Sequence, residues 1–195
     1  MANFQPRQLI GRWKAGYALD LHTLSSIPLG SDEFGYMQFE TTRSEMGELL
    51  FRLKYRSDAT AVPEIAAGAE AFMKAWNPGI DIVVPVPPST NRATQPVLVL
   101  AEAIGQRLHV PVSNCVSRTR DIPQLKNVYD LDERAKLLKG LHEVVVSQVR
   151  GKRVLLFDDL FRSGATMNDV SSVLYEKGSV ADAFALTITR TRSNQ

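Results

Sequence analysis

The stretch Arg153–Phe157 (RVLLF) constrains the chain most, because its apolar run ends abruptly at two acids, Asp158 and Asp159. A short apolar run of this kind reads as a buried central strand. Ile80–Val86 (IDIVVPV), bounded by Asn77-Pro78-Gly79 and by Pro87-Pro88, reads as another. A helix is expected from Pro96 to Leu108, where Val97, Leu100, Ala101, Ile104 and Leu108 recur at helical spacing. Val112–Val116 is a weaker strand, 118–130 a loop, 131–139 a short helix ending at Gly140, and Glu143–Val146 a further strand. About Met167 to Lys177 forms a helix stopped by Gly178, and Ala183–Ile188 returns as a strand. Strands separated by helices of this length predict a mostly parallel sheet with helices on both faces. Ligands of such sheets sit at the carboxyl ends of the strands, which directs attention to the loops after Val86 and Phe157.

The first 60 residues follow another pattern. Gly16–Leu24 and Gly35–Glu40 read as two antiparallel strands around a Gly/Ser/Pro turn. Thr42 with Glu45 gives a capping-box signal, followed by a helical face of Met46, Leu49, Leu50 and Leu53. A second helix is expected from Pro63 to Trp76, with Ile65, Ala69, Phe72, Met73 and Trp76 on its apolar side. The expected division is an accessory segment over 1–60 and an α/β body over 61–195.

Composition narrows the class. Hydrophobic content of 44%, charged content of 23% and a net charge of +2 are those of a globular domain. The one cysteine, Cys115, cannot form an internal disulfide, and no cluster has zinc-ligand spacing. No apolar run reaches membrane-spanning length, and the start lacks an apolar signal core, so a soluble, cytoplasmic protein is expected. Cys115, Trp13 and Tyr17 are expected in the core, and His22, His109 and His142 in structural or surface roles.

The chemistry concentrates in Val154–Met167 (VLLFDDLFRSGATM). A strand delivers Asp158 and Asp159 to its carboxyl end, and a turn over Leu160–Gly164 feeds a helix. Small residues Ser163, Gly164 and Ala165 let the backbone approach an anion, and the free N–H groups of the helix start, with the hydroxyls of Ser163 and Thr166, suit a phosphate. The adjacent carboxylates suit sugar hydroxyls or a water held by Mg²⁺. A ribose 5-phosphate has this shape. A Walker-type loop fits poorly, since Thr166-Met167 stands where it would carry a lysine and a hydroxyl.

This string resembles the signature of the type I phosphoribosyltransferases, and Asp81–Arg92 (DIVVPVPPSTNR), Gln124 and Glu133-Arg134 are similar to the ComF-like branch of that superfamily. The resemblance covers roughly Leu49–Arg190. It implies a central parallel sheet with a hood, here from the first 60 residues, over the acceptor. It implies that Asp158 and Asp159 hold the ribose hydroxyls and, through water, Mg²⁺, while Arg162, Ser163, Gly164, Ala165 and Thr166 wrap the 5-phosphate of 5-phosphoribosyl-1-pyrophosphate (PRPP). Pro87, Pro88, Ser89 and Thr90 would form the pyrophosphate loop, and a closing loop around Arg118–Lys126 would include Arg118, Arg120 and Gln124. The reaction implied is attack of a nucleophile, commonly a base nitrogen, on C1 of the sugar as pyrophosphate leaves. Arg92 and Lys126, with Arg118 and Arg120, are the candidates for neutralising its charge.

Three features separate this chain from its relatives. Arg162 stands where many members have a small or hydroxyl residue and where purine 6-oxo enzymes have an acid, which argues against hypoxanthine or guanine as acceptor. Arg92-Ala93-Thr94-Gln95 is shorter than the usual Arg-Gly-Phe-Asn-Gln run, and the four-cysteine zinc module of many ComF proteins is missing. The alternatives are a non-catalytic module sensing PRPP or a nucleotide, and an adaptor for single-stranded DNA or a protein partner in a competence-like process. A homodimer is a reasonable prior, with a small-molecule acceptor and no membrane partner.

Overall fold

The computed structural model describes residues 2–89, 95–122, 128 and 130–192. Its centre is a five-stranded sheet of β1 (Arg7–Gln8), β2 (Ala15–Leu21), β5 (Ile82–Pro85), β8 (Arg153–Phe161) and β9 (Asp182–Arg190). They lie side by side in the order β1-β2-β9-β8-β5, all parallel except the short β1. A bridge from Val112 to Val83 touches the outer side of β5. The strands are buried on both faces, so their apolar side chains feed two cores. One holds Leu155, Phe157, Leu186 and Ile188 under α1 (Glu45–Tyr55), α2 (Ala61–Trp76) and α3 (Pro96–Leu108). The other holds Val154, Leu156, Ala183 and Ala185 under α5 (Ala165–Glu176). Trp13 and Cys115 are buried in this second core, and Tyr17 packs edge-on against Phe72 and Trp76. The mostly parallel α/β sheet expected from the sequence is present, as is an N-terminal β-hairpin.

Several elements differ from the sequence reading. Gly16–Leu24 does not pair with Gly35–Glu40. Ala15–Leu21 instead joins the central sheet beside β9, with Ala18 opposite Thr187. The hairpin is made by β3 (Thr23–Ser31) and β4 (Met37–Arg43). Period-2 alternation cannot say which partner a strand takes, and a single break at His22 separates the two uses of the run. The cap of α1 is Ser44, whose Oγ accepts from the Gly47 N–H at 2.9 Å, rather than Thr42. β8 runs on to Phe161, so both acids stand within the strand rather than beyond it. Val116–Arg118 (β6) and His142–Val144 (β7) pair with each other in a small antiparallel ribbon instead of extending the sheet. α4 (Leu131–Leu138) precedes β7, and Gly140 turns the chain at φ 66°.

Gly47 sets how closely α1 can lie on the edge of the sheet. A Cβ there would stand 2.1 Å from the carbonyl oxygen of His22, which is backbone and cannot move aside alone. Gly47→Ala should therefore destabilise the protein by about 2–3 kcal/mol despite the better helix propensity of alanine. Urea unfolding of the two chains checks this; equal midpoints would show that α1 shifts freely.

Candidate active site

The connections on either side of β5 and β8 run in opposite senses. From β5 the chain passes outward through α3 on one face, while from β8 it passes through α5 on the other face to β9. The loops after the two strands therefore part and leave a crevice at their carboxyl ends. It is a cleft of about 560 Å³ lined by Pro87, Pro88 and Ser89 from the first loop, Asp158 and Asp159 from β8, and Arg162 to Thr166 from the second. Arg118 of β6, Lys54 and Tyr55 of α1, and Leu141 and His142 complete the wall. A more open hollow of about 730 Å³ lies across Pro87–Ser89 and shares Arg118, but neither Asp158 nor Asp159.

The second loop is shaped by Gly164, at φ 73° and ψ 0°. A Cβ at this position would meet the Phe161 ring at 2.6 Å, so glycine satisfies both the left-handed backbone and the close packing. Gly164 is also the N-cap of α5, and no side chain caps that end. The first-turn N–H groups, which have no acceptor within the helix, thus open on the cleft beside Ser163 and Thr166. Asn168 secures the turn from behind, donating to the Gly164 carbonyl at 3.0 Å and accepting from the Arg12 N–H at 2.7 Å.

The two acids have unequal surroundings. Asp159 is ion-paired with Lys54 at 2.9 Å, both side chains mostly buried. Among the described residues Asp158 has no ion pair. Burial first, and then the charge of Asp159 beside it, push its carboxyl up to about 8. His22 sits close by, its Nδ1 3.1 Å from Thr189 Oγ1. Burial and the charges of Lys54, Arg43 and Arg162 lower it to about 4, which keeps it neutral at physiological pH.

The structure gathers Pro87, Pro88, Ser89, Arg118, Asp158, Asp159, Arg162, Ser163, Gly164, Ala165 and Thr166 around one cleft. Arg118 Nη1 donates to the Ser89 carbonyl at 3.2 Å, and its buried Nε has no acceptor among the described residues. Arg120 does not line the cleft. Its guanidinium donates to the carbonyls of Leu137 (3.1 Å) and Lys139 (3.0 Å) at the end of α4. Thr90, Arg92, Gln124 and Lys126 lie outside the described residues.

One residue, Lys54, escaped the sequence reading. Lys54 follows Leu50 by one helical turn at the margin of the apolar face of α1, a position where a lysine signals a buried partner. His142, expected in a structural or surface role, is fully buried, with Nδ1 2.6 Å from Asp169 Oδ2 and no partner for Nε2 among the described residues. Nothing in its local sequence distinguishes it from a surface histidine.

No family model matches the chain. The sheet and the solved structures it resembles show a phosphoribosyltransferase-type fold. The solved structures it resembles include the allosteric regulatory enzyme of purine biosynthesis, and the glutamine PRPP amidotransferase of Bacillus subtilis complexed with ADP and GMP. Each matches with a TM-score of 0.50 and 15% identity over 80% of this chain and 34% of the larger protein. Among curated proteins, the chain is 26% identical over 151 residues to competence protein ComFC of Bacillus subtilis strain 168. That match covers 77% of this chain, which spans 62% of the length of ComFC.

The inequality of the acids gives a test with opposite signs. Asp158 holds its proton more tightly folded than unfolded, so its contribution to stability declines as pH rises from about 4 to about 8. Asp158→Asn should remove that decline and stabilise the protein above pH 8 by about 1–2 kcal/mol, a value reduced by the water at the cleft. Asp159→Asn breaks the mostly buried ion pair with Lys54 and should cost about 3 kcal/mol. Thermal melts between pH 5 and 9 distinguish them, and equal shifts for both variants would contradict the assignment.

Proposed function

We propose that the cleft binds Mg²⁺-PRPP and that the protein transfers the 5-phosphoribosyl group to a small, nitrogenous acceptor with release of pyrophosphate. The observation that carries this reading is the meeting, in one cleft, of an uncapped helix N-terminus behind Gly164 with the carboxyl of Asp158. The backbone N–H groups of that helix, with Ser163 and Thr166, bind the 5-phosphate, and Arg162 adds a positive charge. The acids beside them face the ribose hydroxyls.

The donor set fits magnesium brought in by its ligand. Among the described residues no group of three or more His, Cys, Asp or Glu side chains could hold a metal ion, and Mg²⁺ is ordinarily shared between one or two carboxylates, waters and substrate phosphates. Asp158, which makes no ion pair among the described residues, is the natural protein partner, with Asp159 held in place by Lys54. When bound, the ion neutralises charge on the departing pyrophosphate. In this reading Pro87–Ser89 present that pyrophosphate to Arg118, and Arg92 and Lys126 supply further positive charge. The bond from C1 to the pyrophosphate oxygen breaks as the acceptor nitrogen bonds to C1. Exclusion of water by the cleft walls favours the acceptor over hydrolysis.

The relation to ComFC supports a second reading, an adaptor in a competence-type process that binds single-stranded DNA or a protein partner. The two readings diverge at Asp158, because salt-sensitive DNA binding does not need a carboxylate.

Calorimetric titration of the purified protein with PRPP, with and without Mg²⁺, tests the first reading. Magnesium-dependent binding is expected, with affinity weakened at least tenfold, or about 1.4 kcal/mol, in Asp158→Asn. Pyrophosphate release on screening bases would then identify the acceptor. Folded protein that binds no PRPP under either condition, yet binds DNA with or without Asp158, would replace the transferase with the adaptor.

A further inference from the structure

The β3–β4 hairpin is an anomaly in a soluble-looking surface. It forms its own two-stranded sheet, and Leu24, Ile27, Leu29, Phe34, Tyr36, Met37 and Phe39 are all exposed, Phe34 and Tyr36 by 76% and 71%. A lone two-stranded ribbon is marginally stable in water, and apolar patches of this extent mark interfaces. The turn is nevertheless well specified: Asp32 Oδ1 accepts from the N–H groups of Phe34 (3.0 Å) and Tyr36 (2.8 Å), and Asp32 Oδ2 from Gln38 Nε2 (2.7 Å).

We propose that this ribbon is the dimer interface of the protein, made by β4 of one copy pairing antiparallel with β4 of a second about a two-fold axis. The two edges of the ribbon differ. β3 carries Pro28, which has no N–H, and two register shifts, Thr23/Ser25 and Pro28/Gly30, features that blunt an edge. β4 (MQFETTR) has neither proline nor glycine, and no other strand pairs with its outer edge among the described residues.

Charge and the apolar side chains of β4 fit a second copy. The acids Asp32 and Glu33 stand at the tip, while Arg43 and Arg192 stand at the base, where Arg192 Nη1 donates to the Leu24 carbonyl at 2.8 Å. Antiparallel pairing brings the acidic tip of each ribbon over the basic base of the other. Within the ribbon itself, three acids (Asp32, Glu33, Glu40) against one base (Arg43) disfavour nucleic acid or an anionic lipid surface. Met37 and Phe39 share one face of β4, 53% and 55% exposed, where the side chains of a second β4 would stand beside them.

Sedimentation and cross-linking test the proposal. The chain should be dimeric at about 10 μM, and Phe39→Lys should raise the dimer dissociation constant by roughly 100-fold or more while the far-UV spectrum is retained. Because Cys115 is buried, cysteines placed singly at positions 37 to 41 report pairing directly. Mild oxidation should join two copies at one or two adjacent positions, and Ser26→Cys on β3 should not cross-link. The cysteine series stands even where Phe39→Lys fails to fold. A chain that stays monomeric at about 100 μM, or a dimer indifferent to Phe39→Lys with no cross-link along β4, would overturn the proposal.

Discussion

Two adjacent carboxylates inside a strand covered on both faces cannot both remain ionised unless a cation stands beside one of them. The Lys54–Asp159 pair meets that requirement. It binds α1, from the first third of the chain, to the strand that carries the acids, and leaves Asp158 as the acid that keeps its proton up to about 8. The close approach at Gly47 and the Ser44 cap place α1 so that Lys54 reaches the cleft. The site thus depends on an element that local motif reading would assign to a different part of the molecule.

The body of the fold was legible because buried parallel strands and amphipathic helices leave strong, local signatures. Leu155 and Phe157 alternate with Val154 and Leu156 between two cores, and the flanking helices show their apolar stripes. The phosphate-loop candidates were legible for the same reason: Gly164, Ser163 and Thr166 lie within one short stretch, so order along the chain reproduces proximity in space. Pairing choices were not local. Whether Ala15–Leu21 joins Met37–Arg43 or β9 is decided by a strand more than 160 residues away. Lys54 was missed on similar grounds, since Asp159 becomes its partner only after folding.

The cleft also sets two electrostatic features side by side. The start of α5 has no side-chain cap, and burial and the charge of Asp159 disfavour the ionised form of Asp158. A ligand with an anionic group at one end and a cation-bearing group at the other would offset both. The same pair of features makes sense of a left-handed glycine whose Cβ position is filled by the Phe161 ring.

The order of the central sheet has a consequence for how the molecule forms. β9, last of its strands along the chain, lies between β8 and β2, so Ala15 waits for Phe184 before its parallel neighbour exists. Such pairing has high contact order, and the entropy of closing so long a loop must be met before the strand contacts form. During synthesis β2 therefore leaves the ribosome with one edge unsatisfied until nearly the whole described chain has followed. Folding is then a late, concerted closure rather than growth outward from the N-terminus, and for that interval chaperone capture and self-association compete for the same edge.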